Sequence, residues 1–159
     1  MTAKEYNQTV DLYADNIYRF VLKNLKDSEK AKDIVQESFE RLWVNKGKVE
    51  NSKVKSYLFT IAYRLIIDET RNKKRQLEAN VNYETETTNT YNDLNEILHR
   101  AIEQLPEDQK SVVLLRDYEG YSYAEIGEIT GLNESQVKVY IYRARLFLKQ
   151  YIVALDKVI

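Results

Sequence analysis

The chain has 159 residues, of which 43% are hydrophobic and 31% charged, so it can bury a core and remain soluble. It has no cysteine, which excludes disulfides and thiolate metal sites, and a single histidine, which excludes a histidine metal cluster within one chain. No stretch approaches the roughly 20 apolar residues of a membrane span, and the polar, acidic amino terminus does not resemble a secretory signal. We therefore expect a cytoplasmic protein with no membrane insertion of its own and no metal or cofactor.

The net charge of −1 conceals a segregation of charge along the chain. Basic residues cluster at 64–75 and again at 138–149, whereas acidic residues collect at 27–40 and 78–96. Segregation of this kind suits a protein with one surface for phosphates and another for a protein partner.

Only 4 glycines and 1 proline, with almost no alternating apolar pattern, predict an all-α fold. In the first part of the chain, apolar residues at helical spacing predict three helices over residues 10–25, 28–43 and 54–75. Ser28 is the expected N-cap of the second of these helices.

Residues 77–92 are rich in Thr, Asn and Glu and lack apolar periodicity, which predicts a flexible linker. The expected organisation is two small helical domains, residues 1–76 and 93–159, joined by this linker. The alternative is a long surface loop inside one domain. Loops of this length without structure are uncommon in compact domains, which favours the linker.

The second domain is predicted to contain four helices. The first covers residues 93–104, and the second begins near Pro106, which suits a first helical turn, and ends at Gly120. In the third, Ser122 and Glu125 have the spacing of a capping box, and Gly131 supplies the left-handed residue that ends a helix. Asn133 caps the last helix, with Gln136 placed to complete a second capping box. Two capped helices joined by a tight turn are typical of a DNA-binding helix-turn-helix.

The last helix has a buried stripe and an outer face that carries Lys and Arg. The inward side has apolar residues at helical spacing: Val137, Ile141, Ala144 and Leu148. The candidates for contacts with base edges lie in the first turns: Ser135, Lys138, Val139 and Tyr142. The candidates for phosphate contacts are Arg143 and Arg145, together with the backbone amides that follow Ser122 and the side chain of Tyr123. The alternative is a capped surface helix with a solvated basic face.

The first domain has two further candidate surfaces. A basic helix end, residues 64–75, has aromatic residues in or near it (Tyr57, Phe59, Tyr63 and Tyr83), a combination that can bind single-stranded nucleic acid. The alternative is a charged helix end beside core tyrosines. The second predicted helix has a mostly acidic outer stripe that could dock on a basic helical partner or be solvated: Lys32, Asp33, Gln36, Glu37, Glu40 and Arg41. No set of nucleophile, base and orienting residue is visible, so no catalytic residue is expected.

Three motifs, in this order, resemble those of the extracytoplasmic-function sigma factors of bacterial RNA polymerase. Residues 27–43, DSEKAKDIVQESFERLW, resemble the polymerase-binding helix of that family, with matches at Asp33, Gln36, Glu37, Phe39 and Trp43. Residues 54–75 resemble the promoter-melting helix, with matches at Leu58, Ile61, Ala62, Asp68, Arg71 and Arg75. Residues 105–145 resemble the carboxy-terminal domain, with matches at Leu105, Pro106, Tyr123, Glu125, Ile126, Val137, Lys138, Arg143, Ala144 and Arg145.

The resemblance implies a role for each surface. The acidic stripe would bind the clamp of the largest subunit of core RNA polymerase through Asp33, Gln36, Glu37, Glu40 and Arg41. Residues 45–56 and the third helix would bind the minus-ten element through Lys53, Lys55, Tyr57, Arg64, Asp68, Arg71, Lys74 and Arg75. The last two helices would bind the minus-thirty-five element of promoter DNA through Ser122, Tyr123, Ser135, Lys138, Val139, Tyr142, Arg143 and Arg145. An anti-sigma factor is an expected further partner, and the linker would thread toward the RNA exit channel.

The chain departs from the family pattern at a few positions. Arg64 stands where the family usually has Asn, and Val139 and Tyr140 stand where it often has Ser and Arg. Val139 could contact a thymine methyl group instead.

The sequence therefore predicts a sigma factor that binds core polymerase and directs initiation at specific promoters. One rival is a stand-alone helix-turn-helix regulator that binds duplex operator DNA as a dimer, which leaves the first domain unexplained. Another is a helical enzyme such as a nucleotide hydrolase, against which the missing phosphate loop counts.

Overall fold

The computed structural model describes residues 1–79 and 94–158, and this part of the chain forms helices and turns without a β-strand. Its α-helices are α1 (Ala3–Leu25), α2 (Ser28–Asn45), α3 (Val54–Ala79), α4 (Leu94–Glu103), α5 (Glu107–Val113), α6 (Tyr123–Thr130) and α7 (Glu134–Val158). The predicted all-α fold is confirmed. We refer to α1–α3 as the first half and to α4–α7 as the second half.

Two helix starts differ from the prediction. Helix α1 begins seven residues earlier than expected, at Ala3, because the Thr2 hydroxyl accepts a hydrogen bond from the Glu5 amide at 3.1 Å and caps the helix. The N-cap of α2 is Asp27 rather than Ser28, and its carboxylate accepts from the Glu29 amide at 3.1 Å. A carboxylate at this position also interacts favourably with the helix dipole.

Helix α3 extends to Ala79, so residues 77–79 of the predicted linker are helical. The sequence QLEA at residues 76–79 contains strong helix formers and neither glycine nor proline, so nothing ends the helix at residue 75. The rest of the predicted linker, residues 80–92, lies outside the described residues, as does Tyr83.

In the second half, Pro106 is the N-cap of α5, which continues directly into a π-helical turn, Leu114–Tyr118. Gly120 follows in the left-handed region, with φ of 75°, as expected for the residue that ends this helix. No pattern in the sequence predicts the π-helical turn.

The two halves share one hydrophobic core. Buried residues of α1 and α3 belong to the same cluster as buried residues of α5, α6 and α7. Phe59 of α3 links the halves: its ring packs edge-on against Phe20 at 5.4 Å between centroids and against Tyr121 at 5.3 Å. Tyr121 lies two residues before α6, and α3 also packs against α6 itself. This packing places two of the predicted binding surfaces side by side.

Candidate nucleic-acid interface

Helices α6 and α7 form the helix-turn-helix that the sequence predicts. The Ser122 hydroxyl accepts from the Glu125 amide at 3.1 Å, and the Glu125 carboxylate accepts from the Ser122 amide at 3.0 Å. These bonds lower the pKa of Glu125. Gly131 ends α6 with φ of 80°. In the second capping box, the Asn133 side chain accepts from the Gln136 amide at 2.8 Å, and the Gln136 side chain accepts from the Asn133 amide at 3.0 Å.

The turn between the two helices also depends on Gly127, which the sequence analysis did not single out. A Cβ atom at this position would lie 2.8 Å from the backbone oxygen of Leu132, closer than real Cβ contacts. The absence of a side chain therefore allows α6 to approach the turn. A glycine inside a helix lowers helix stability by about 1 kcal/mol relative to alanine. A glycine in a helical pattern therefore indicates that the position has a packing role.

The outer face of α7 is exposed where base-edge contacts were predicted. Val139 is 43% exposed and Tyr142 is 68% exposed, large values for such residues. Ser135 and Lys138 are exposed on the same face, as is the phosphate candidate Arg143. The opposite side of the helix is buried at Val137, Ile141 and Ala144, as predicted, and Leu148 is half-buried.

Arg145 is exposed, but it is already paired within the protein. Its guanidinium donates to the Asp117 carboxylate at 2.5 Å and 3.3 Å, and this bond raises the pKa of Arg145. Next to this pair, the Tyr123 ring lies 4.6 Å from the Arg116 guanidinium and 5.7 Å from the Lys138 ammonium. A phosphate bound here would meet three cations near the Tyr123 ring, namely Arg116, Lys138 and Arg145. Asp117 would compete with it for Arg145.

A second candidate surface is an open cleft of about 560 Å³ beside the start of α3. We call it the α3 cleft, and its lining residues are Asn45, Lys48, Val49, Glu50, Lys53, Ser56, Tyr57, Thr60 and Glu128. Two of the predicted minus-ten residues, Lys53 and Tyr57, are among them. The cleft combines an aromatic ring, lysines and hydroxyl groups, a set that can hold an unpaired base and its phosphate.

Other predicted minus-ten residues form a stripe that leads away from the α3 cleft. Arg64, Asp68, Arg71 and Arg75 follow one another at steps of four, three and four along α3, so they share one face of the helix. All four are exposed, and so is Lys74. The stripe is an electropositive path interrupted by one carboxylate, which suits the backbone of a nucleic-acid strand.

Two residues near this stripe are not available to a nucleic-acid strand in the way the sequence suggested. Phe59, one of the predicted stacking aromatics, is fully buried at 0% exposure, because its position on α3 faces the shared core. Lys55 is half-buried, and its ammonium lies 5.0 Å from the centre of the Tyr121 ring in the second half.

A third candidate surface is the outer side of α2, where the predicted protein-binding residues lie in two hydrogen-bonded pairs. The Gln36 amide donates to Glu40 at 3.2 Å, and the Arg41 guanidinium donates to Glu37 at 2.7 Å. Asp33 is exposed on the same side. We call this set the α2 ridge: Asp33, Gln36, Glu37, Glu40 and Arg41.

The α2 ridge ends beside two exposed apolar residues, Trp43 and Val44, which are 42% and 79% exposed. The indole is held in place by the Tyr6 ring, at 4.9 Å between centroids, and by the Lys46 ammonium, 3.1 Å from the ring centre. A fixed, exposed tryptophan beside a charged ridge is typical of a protein interface. The sequence does not identify Val44 as a surface residue of this site, because a single apolar residue after a helical stripe does not indicate an interface.

Within residues 1–79 and 94–158, no helix is both long and apolar enough to cross a membrane. The same residues contain no group of three or more His, Cys, Asp or Glu side chains arranged to hold a metal ion.

Comparisons with known proteins agree with this architecture. Residues 9–76 match the family model described as Sigma-70 region 2, and residues 95–148 match the model described as Sigma-70, region 4. The ECF RNA polymerase sigma factor SigW of Bacillus subtilis is 32% identical over 160 residues, which cover 89% of this chain and 85% of SigW. The ECF RNA polymerase sigma factor SigM of the same bacterium is 28% identical over 156 residues, 94% of each chain.

Among solved structures, the sigma factor RpoE of Bartonella quintana, in complex with the anti-sigma factor NepR, superposes with a TM-score of 0.80. At 22% identity over 94% of this chain and 98% of RpoE, the likeness concerns the fold. The chain belongs to the extracytoplasmic-function sigma factors of RNA polymerase. It is thus a DNA-binding protein that directs transcription initiation, and the rival of a stand-alone regulator is not favoured.

The structure brings the candidate residues together in three places: the α7 face, the α3 cleft with its stripe, and the α2 ridge. Helical spacing on α3 could have identified Thr60, three residues after Tyr57. Glu128 could not have been found, because it reaches the α3 cleft from the second half of the chain.

Proposed function

We propose that each of the three surfaces has its own role in initiation. The α2 ridge binds the clamp of the largest subunit of core RNA polymerase. The α3 cleft and its stripe hold the minus-ten strand, and the outer face of α7 reads the minus-thirty-five element. The observation that carries this assignment is the presence in one chain of a helix-turn-helix with an exposed reading face and a cleft that continues into a basic stripe.

The domain organisation that goes with these roles is a region 2-like unit over residues 1–76, a linker over 77–92 and a region 4-like unit over 93–159. The family matches to residues 9–76 and 95–148 support these limits. Because residues 77–79 continue α3, the remaining 13 residues of this linker, 80–92, reach at most about 45 Å when fully extended. The two units can then separate widely while remaining on one chain.

For Val139 and Tyr142, exposure on the outer face supports direct contact with bases. The Val139 side chain offers only methyl groups, which suits a thymine methyl group in the major groove. Lys138 in the same turns can donate to a guanine. Arg143 and the cations near the Tyr123 ring then neutralise phosphates and set the position of α7 on the duplex.

The protein itself is not a catalyst in this proposal, because the polymerase supplies the chemistry. It acts in the cytoplasm, where polymerase and promoter DNA are found. An anti-sigma factor is a further partner, since membership of the family implies one. It would inhibit by covering the polymerase- and DNA-binding faces.

The test is transcription in vitro with core RNA polymerase from Bacillus subtilis and a library of randomised promoters. We expect the full chain to select promoters with two conserved elements and to start transcripts downstream of them. Core polymerase without the chain is the control. Selection of a single upstream duplex site, with no dependence on polymerase, would contradict the proposal and favour the stand-alone regulator.

A further inference from the structure

The second half carries two carboxylates that pair with cations of its own candidate DNA-binding surface. Arg145 donates to the Asp117 carboxylate through two guanidinium nitrogens, at 2.5 Å and 3.3 Å. The Lys138 ammonium lies 3.6 Å from the Glu134 carboxylate, one turn earlier on α7. The four side chains are between 39% and 57% exposed, so both pairs face solvent. A DNA strand on this side of α7 would therefore meet the two pairs.

Both pairs adjoin the Tyr123 ring at the start of α6. The Lys138 ammonium is 5.7 Å from the ring centre, and Asp117 and then Tyr123 raise the pKa of Arg145. The Arg116 guanidinium lies 4.6 Å from the same ring centre and donates to a backbone carbonyl at 2.9 Å. We refer to Arg116, Lys138 and Arg145 as the Tyr123 cations. Two of the three pair with a carboxylate of the protein, and the third is held by a backbone oxygen.

The π-helical turn supplies one of the two carboxylates. Its backbone bond runs from the Glu119 amide to the Leu114 carbonyl at 3.2 Å, five residues back, instead of four as in an α-helix. The turn carries both Arg116, which faces the Tyr123 ring, and Asp117, which contacts α7. Turns of this kind are frequent at functional sites. This irregular turn therefore sets the position of Asp117 against α7.

A carboxylate beside a cation presents the same chemistry as a phosphate. Both are anionic acceptors, and both can accept two parallel N–H bonds from an arginine. A phosphate that approaches Arg145 has to replace Asp117, and one that approaches Lys138 has to replace Glu134. Each replacement exchanges one ion pair for another, so the gain in free energy is smaller than for an unpaired cation. The displaced carboxylate is also left close to a phosphate, which is unfavourable.

A lower affinity for phosphates matters most for DNA of arbitrary sequence. Non-specific binding depends almost entirely on phosphate contacts. Promoter binding adds contacts with base edges, for which Ser135, Val139 and Tyr142 are uncharged candidates, so neither carboxylate competes with them. Because non-specific sites greatly outnumber promoters, weak binding to bulk DNA leaves more of the protein available to core polymerase.

We propose that Asp117 and Glu134 are intramolecular substitutes for DNA phosphates, which keep the affinity of the outer face of α7 for bulk DNA low. The proposal rests on the proposed function, because it takes this face as the surface that meets the duplex. Contacts with promoter bases, and attachment to polymerase through the α2 ridge, then supply the additional free energy that displaces the two carboxylates.

Conservative variants test the proposal with the isolated full chain and a labelled duplex without promoter elements. Asp117→Asn and Glu134→Gln each remove one negative charge, and each should raise the affinity for this duplex by about fivefold at low salt. The affinity should also fall more steeply with salt, by about one counterion, because a cation freed from its carboxylate neutralises one more phosphate. Fluorescence anisotropy at several salt concentrations measures both effects. Glu96→Gln, which removes an exposed carboxylate of α4, is the control and should have no effect.

A double variant shows whether Asp117 acts through its partner. Arg145→Ala removes the cation with which Asp117 pairs. In that background, Asp117→Asn should change the duplex affinity by less than about twofold, because the effect passes through Arg145. An equal gain in both backgrounds would overturn the proposal, since Asp117 would then act only by general repulsion of DNA.

Unchanged or lower duplex affinity in Asp117→Asn or Glu134→Gln would overturn the assignment of that carboxylate, which would then orient its cation for DNA or play no part. Arg143→Ala separates this failure from a failure of the proposed function. If Arg143→Ala lowers the affinity and the two carboxylate variants have no effect, only the role of the carboxylates is wrong. If Arg143→Ala has no effect either, the outer face of α7 does not meet DNA, and the proposed function fails as well.

Discussion

Tyr121 of the second half packs edge-on against Phe59 of the first, with 5.3 Å between ring centroids, and both rings are buried. The contact joins residues 62 positions apart and lies between the predicted minus-ten helix and the helix-turn-helix. The Tyr121 hydroxyl is buried near Ser56 without a well-formed hydrogen bond, and burial raises the pKa of this group.

Replacement of Tyr121 separates the contribution of the ring from that of the hydroxyl. Tyr121→Ala removes a buried aromatic side chain and should lower the free energy of unfolding by about 3–5 kcal/mol. Tyr121→Phe keeps the ring and removes a poorly paired polar group, so it should be neutral or stabilising by up to about 1 kcal/mol. Urea unfolding measures both. A large loss in Tyr121→Phe would mean that the hydroxyl itself contributes to stability and is not a poorly paired group.

The dependence of stability on pH should report the titration of Lys26. Burial lowers the pKa of Lys26 from its ordinary value of 10.5 to about 8, and Lys110 and Arg100 act in the same direction. Between these two values the unfolded chain binds more protons at this residue than the folded chain, so stability rises with pH there. Lys26→Gln should remove this rise.

The slope is best measured from about pH 8 to 9.5, because buried tyrosines with raised pKa values act in the opposite direction above about pH 10. Lys30→Gln is the matched control. A hydrogen bond to Glu69 raises the pKa of Lys30, so Lys30 stays charged in both states throughout this interval. Equal slopes in Lys26→Gln and Lys30→Gln would show that Lys26 does not titrate in this range.

Features that depend on neighbours in sequence were predictable, and features that depend on distant residues were not. The capping boxes at Ser122 and Asn133 follow from spacings of three residues, and the structure confirms both. The pairing of Arg145 with Asp117 joins residues 28 positions apart, and no local sequence pattern predicts it. Asp27 and Ser28 are both good caps, so sequence alone could not choose between them.

Charge reversal on the α2 ridge should weaken polymerase binding without unfolding the protein. The variant Asp33→Lys/Glu37→Lys replaces two carboxylates of the ridge, and we expect at least a roughly tenfold increase in Kd for core polymerase, about 1.4 kcal/mol. Helical content by circular dichroism should change little, because loss of the pair between Glu37 and Arg41 costs only about 0.5 kcal/mol. Asp15→Lys, on the exposed side of α1, is the control. Unchanged polymerase affinity would remove the α2 ridge from the interface.

Two substitutions on α7 should separate base reading from phosphate contact. Lys138→Ala should weaken binding to the minus-thirty-five duplex by roughly 1–3 kcal/mol and relax the preference at one base pair. Arg143→Ala should weaken binding to all sequences alike and lower the salt dependence by about one counterion. Titrations of matched and single-substituted duplexes at several salt concentrations distinguish these patterns. An equal loss on every duplex would make Lys138 a phosphate contact as well.

The geometry of the helix-turn-helix should depend on the close approach of Gly127 to the turn that follows α6. In Gly127→Ala the new methyl group would meet the Leu132 backbone oxygen at 2.8 Å, and backbone cannot move aside as a flexible side chain can. Overpacking of this kind costs about 1–3 kcal/mol, offset in part by about 1 kcal/mol from the higher helix propensity of alanine. The net loss of stability should therefore be small, whereas α6 must shift relative to α7. Affinity for the minus-thirty-five duplex should then fall more than stability does.

Gly47→Ala is the control, because a Cβ there meets nothing within 4 Å. Full duplex affinity in Gly127→Ala would show that the turn can absorb the methyl group, and that close approach at this position does not set the angle of α7.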